Sequence, residues 1–117
     1  MNALVPYHEE RPWGDFVEFT KNTTSTVKII TVKPGQSLSL QFHNKRDEFW
    51  RVLSGSGKVQ IGEETLEAVP GKEFFIPMNI NHRMEASEND HLVILEIAFG
   101  DFDEDDIIRL EDRYGRT

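Results

Sequence analysis

An all-β fold, a jelly-roll barrel of antiparallel strands, is what this 117-residue sequence predicts, and three observations carry it. Between Val27 and Phe99 the chain runs in short stretches rich in β-branched and aromatic residues. Turn residues separate those stretches, and no segment of helical period interrupts them. Eight strands are expected: Thr26 to Val32, Leu38 to His43, Glu48 to Leu53, Gly57 to Ile61, Glu64 to Ala68, Glu73 to Ile76, His82 to Glu85 and Leu92 to Phe99. The breaks have turn chemistry. Lys33-Pro34-Gly35, Ser54-Gly55-Ser56-Gly57, Ile61-Gly62-Glu63, Val69-Pro70-Gly71 and Ser87-Glu88-Asn89-Asp90 supply Gly, Pro or Asn where the backbone reverses. After Phe99 the pattern changes. Asp103-Glu104-Asp105-Asp106, then Ile107, Ile108 and Leu110, then Arg113 and Gly115, predict a short helix over about 104–114, with charges that complement its dipole. One domain spanning 1–117, with its core at about 26–99, fits this length.

Composition narrows the function. Thirteen basic against twenty-one acidic residues give a net charge of −8 and a pI near 4.9, which opposes nucleic acid and anionic membrane as partners. Without cysteine, a metal would have to be held by imidazole, carboxylate or amide groups. No basic segment followed by an apolar run opens the chain, and no apolar stretch is long enough to cross a membrane; the expected location is the cytoplasm.

The strongest local signal is Gln41-Phe42-His43 followed by Glu48. Residues i and i+2 of a strand share a face, so Gln41 and His43 can hold one ion together. Glu48 opens the next strand, and antiparallel pairing is expected to return it opposite His43. His82, after Ile76-Pro77 and a short polar loop, completes the candidate set. Two imidazoles, a carboxylate and an amide suit one divalent ion, zinc first, with iron, manganese, nickel and cobalt as alternatives. His8 and His91 sit in polar surroundings and are left outside it.

The spacing of Gly35, Gln41, His43, Glu48 and Gly55, and then of Gly71, Pro77, Asn79 and His82, resembles the two motifs of the cupin superfamily, with Gln41 where a histidine is usual. That resemblance implies the cupin double-stranded β-helix. Nearly the whole chain further resembles the cupin domain of type II mannose-6-phosphate isomerases, usually fused behind a guanylyltransferase domain. The marks are Arg11-Pro12-Trp13-Gly14, Val32-Lys33-Pro34-Gly35, Leu38-Ser39-Leu40-Gln41-Phe42-His43, Arg46, Glu48, Trp50, His82-Arg83, and the run from Glu104 to Arg109 through Tyr114-Gly115-Arg116. Phe49, Ala86 and Ile97-Ala98-Phe99 depart from the family pattern without removing a ligand. The resemblance implies isomerisation of a sugar phosphate, mannose 6-phosphate to fructose 6-phosphate, through an enediol held by the metal. It also allows a homodimer, with the segment before Thr26 adding an edge strand to a partner.

On that reading the expected catalytic residues are Arg46, which shares parity with Glu48, Arg109 for a phosphate, and Glu96 as general base, its pKa raised in an apolar strand. Lys28, on one strand face with Ile30 and Val32, joins Ser39 and Trp50 as expected substrate contacts. Each has an ordinary structural alternative: an exposed strand charge, a buried ion-pair partner, a packed aromatic. Two other functional classes compete. One is another metal cupin enzyme such as an oxygenase; the other is a sugar-binding cupin without turnover.

Overall fold

The computed structural model describes residues 5–116. Eleven strands appear among them, and no helix. β1 (Tyr7–Arg11) and β2 (Gly14–Glu18) pair only with each other. β3 (Ser25–Val32), β10 (Leu92–Phe99), β5 (Glu48–Gly55) and β8 (Glu73–Ile76) form a four-stranded sheet in that order. β11 (Ile108–Glu111), β4 (Leu40–Phe42), β9 (His82–Ala86), β6 (Gly57–Ile61) and β7 (Glu64–Ala68) form a five-stranded sheet. Every pairing is antiparallel.

The main core lies between the two larger sheets, where Val32, Trp50, Val52, Ile76, Leu92 and Ile94 of one meet Val59, Ala68, Met84 and Ala86 of the other. Period-two alternation puts Phe49, Ile97 and Phe99 on the opposite face of the four-stranded sheet, packed with Phe19. The chain passes from one sheet to the other at Gly55-Ser56-Gly57. A Cβ on Gly55 would come within 1.8 Å of the His91 carbonyl oxygen, and one on Gly57 within 2.1 Å of that of Glu85. Only glycine lets the backbones approach so closely there.

One expectation is corrected. The segment expected to be a helix over about 104–114 is a turn followed by strand β11. Its carboxylates serve other backbones: Asp103 Oδ1 accepts from the Asp105 N–H, while the Asp106 carboxylate accepts from the N–H groups of Asn44 and Lys45. Residues 108–111 then cover the open edge of β4, where ladder hydrogen bonds replace those of a short, marginal helix. Ahead of β3, strands β1 and β2 form a ribbon of their own.

Candidate metal centre

Glu48 does not return opposite His43 across a hairpin, as the spacing suggested. β4 and β5 belong to opposite sheets, and their ends meet across one mouth of the barrel. From the five-stranded sheet come Gln41 and His82, paired in register, and His43 just beyond β4. From the four-stranded sheet come Glu48, Glu96 and Lys28, the last two also register partners. Residues 100–107 cross above. Together they enclose a cavity of about 200 Å³ lined by Gln41, His43, Arg46, Glu48, Glu96 and Lys28, with Phe102, Glu104 and Ile107 as its cover.

Ligand atoms of His43, Glu48 and His82 lie within 4.8 Å of one another, all three side chains buried. His43 Nε2 is 3.5 Å from Glu48 Oε2, and His82 Nε2 is 3.7 Å from Glu48 Oε1. Two ligand atoms ~2.1 Å from a tetrahedral ion stand about 3.4 Å apart, so this spacing fits a cation with little movement. Outer partners fix the rings. The Asp106 carbonyl 2.6 Å from His43 Nδ1 and the Ile80 carbonyl 3.0 Å from His82 Nδ1 can only accept, so each Nδ1 carries the proton and each Nε2 a lone pair. His82 Nε2 is buried with no hydrogen-bond partner, an orphan that a cation would satisfy. Burial lowers the pKa of both histidines, which keeps them neutral and able to ligate.

Of the residues expected to touch substrate, Lys28 lines the cavity, but Ser39 and Trp50 do not. Ser39, 2% exposed, donates to Gln41 Oε1 at 2.9 Å. Trp50, 1% exposed, donates from Nε1 to Glu48 Oε1 at 3.1 Å and stands edge-on to His82. Neither has a face open to a sugar, and both instead orient residues of the proposed ligand set. Arg109 pairs in register with Gln41, yet it too lies outside the cavity lining. Sequence reasoning missed Phe102 and Asp106. Asp106, held below the usual carboxylate range by the Asn44 and Lys45 amides against the opposing effect of desolvation, pins the covering segment to the loop that carries His43.

Glu96 is pushed from 4.5 up to about 7, first by burial and then by the neighbouring Glu48 charge. Between those values the folded chain holds a proton that the unfolded chain has released. The group therefore favours folding at acid pH and loses that contribution as pH rises through about 7. Glu96→Gln should leave stability near pH 4 unchanged and raise it at pH 8 by up to about 3 kcal/mol. Urea unfolding at the two pH values checks this; an unchanged pH slope in the variant would contradict it.

A double-sheet barrel with two imidazoles and a carboxylate converging at one mouth defines a class: a cupin with a ligand set suited to a divalent cation. The chain belongs to the mannose-6-phosphate isomerase C-terminal family, whose model matches residues 3–112. It is 43% identical over 108 residues to the xanthan biosynthesis protein XanB of Xanthomonas campestris pv. campestris, covering 92% of this chain and 23% of that protein. It is 38% identical to the mannose-1-phosphate guanylyltransferase ManC of Salmonella typhimurium, covering 92% of this chain and 22% of that protein. The chain thus spans less than a quarter of these curated relatives. A crystal structure of a cupin protein from Bacteroides fragilis superposes with a TM-score of 0.62 at 23% identity, over 69% of this chain and 71% of that one, which supports the fold.

These relatives correct the functional expectation. The activity that names ManC is mannose-1-phosphate guanylyltransferase, not mannose-6-phosphate isomerase, although the family description carries the isomerase's name. The isomerase assignment is therefore withdrawn, and with it the reaction in which Arg46, Glu96 and Arg109 were given catalytic parts.

Proposed function

We propose that this chain is a metal-dependent binding module for a mannose phosphate, of the kind carried by mannose-1-phosphate guanylyltransferases. The observation that carries the reading is that His43 and Glu48, clustered with the buried His82, line one cavity together with Lys28 and Arg46. Gln41 joins the three clustered ligands as the fourth, its amide oxygen oriented by Ser39. With two neutral histidines, a neutral amide and one carboxylate, a divalent ion would retain about one positive charge and attract oxygen atoms of the ligand. Lys28 and Arg46 supply the local positive field that a chain of net charge −8 needs to hold a sugar phosphate. The sequence contains no glycine-rich nucleotide-phosphate loop, so the proposal assigns to this chain binding rather than guanylyl transfer.

Calorimetry of the zinc-loaded protein against mannose, mannose 1-phosphate, mannose 6-phosphate and GDP-mannose tests this. At least one mannose phosphate should bind ~10-fold or more tighter than mannose, and Lys28→Gln should remove most of that preference. Equal affinity for mannose and its phosphates would defeat the proposal.

A further inference from the structure

Arg46 is 8% exposed, and its whole guanidinium is engaged. Nε donates to Glu48 Oε2 at 3.0 Å, Nη2 lies 3.2 Å from His43 Nε2, and Nη1 donates to the Asp103 carbonyl at 3.3 Å. Its Cζ stands 4.4 Å from the centre of the Phe102 ring, which also receives Lys28 Nζ at 4.2 Å. These partners fall into two groups. Glu48 and His43 belong to the ligand cluster, while Phe102 and Asp103 lie on the segment that covers the cavity.

The lone pair of His43 Nε2 can accept a hydrogen bond from Arg46 or bind a cation, but not both. A guanidinium against Glu48 would also repel a divalent ion held by the same carboxylate, strongly so at this depth of burial. Arg46 and the cation therefore compete for the same two side chains. We propose that Arg46 is a metal-operated latch. A cation that takes His43 and Glu48 displaces the guanidinium, and the hold on Phe102 and Asp103 is released with it. Asp106 stays in place, because it grips backbone N–H groups of Asn44 and Lys45 that no cation takes. The cover opens about that anchored end, and the freed Arg46, with Lys28, turns to the anion. The latch rests on the reading of the site as a metal centre and gives it an order: cation first, phosphate second.

Nuclear magnetic resonance of the labelled full chain during titration with zinc tests the latch. The imidazole signals of His43 and His82, the Arg46 Nε–H signal and the Phe102 ring signals should move together and saturate at one equivalent. If the histidine signals move while those of Arg46 and Phe102 hold still, the latch is wrong and the metal centre stands. If the histidine signals do not move, the metal centre itself fails, and the latch with it. Phe102→Ala provides an independent measurement, because it changes no charge and Phe102 lies outside both core clusters. Removing the ring that holds Arg46 in place should tighten zinc binding about threefold to tenfold in a chelator competition, in proportion to the depth of a cation–ring contact. Zinc affinity unchanged or weakened in Phe102→Ala would overturn the proposal.

Discussion

Saturating zinc should raise the melting temperature of this protein by roughly ten degrees or more, and the His43→Ala, His82→Ala double variant should lose that entire gain. A ligand held at ~1,000 times its dissociation constant stabilises the folded state by about 4 kcal/mol. For domains near this size each kcal/mol moves the midpoint by about 2–8 °C. The effect should be large because the ligand side chains are already in place, apart from the Arg46 contacts that the cation replaces. Both imidazoles are already neutral, their outer nitrogens are fixed by the Asp106 and Ile80 carbonyls, and the ligand spacings of 3.5 and 3.7 Å are close to what a tetrahedral ion requires. Both histidines are buried, so the variant will differ in stability before any metal is added. The quantity that decides is the zinc-induced shift within each protein, measured by scanning calorimetry. An undiminished shift in the double variant would place the metal elsewhere.

Trp50→Ala should cost ~3–5 kcal/mol, a large part of the ~5–15 kcal/mol that holds a domain folded. Trp50 is 1% exposed, and its ring fills the main core between the sheets. The truncation would leave a cavity there, remove the edge contact to His82, and strip Glu48 Oε1 of its indole donor. Trp50→Phe shifts the balance between the two contributions, since it keeps most of the ring volume and loses the donor. The buried carboxylate left short of one hydrogen bond should then cost about 1–3 kcal/mol. Urea unfolding at constant m-value measures both variants. A loss under 1 kcal/mol for Trp50→Ala would mean that the ring is not the core element its burial indicates.

Much of the candidate site was legible in the chain because its signals are local. Gln41 and His43 stand two apart on or beside one strand, and Lys28, Ile30 and Val32 share a face by the same period. An apolar strand around Glu96 signals its burial, while the charge of Glu48 that adds to its raised pKa arrives only through the fold. Strand boundaries from Gly57 to Ile76 follow the turn residues closely.

What the sequence by itself determined is therefore the all-β class, the position of most strands, and the residue types available to a cation. The tertiary structure alone decided which strands are neighbours. Glu48 meets His43 across the barrel rather than across a hairpin, because the chain crosses from one sheet to the other between β4 and β5, and no local period encodes that choice. It also decided the fate of residues 103–111. Their acidic run and apolar spacing satisfy a helix rule, yet the unpaired edge of β4 and the free N–H groups of Asn44 and Lys45 offer partners that a short helix cannot match. Those partners lie some sixty residues away in sequence. Only folding brings them within reach, so a local reading assigned Asp106 to a helix and left Phe102 without a role.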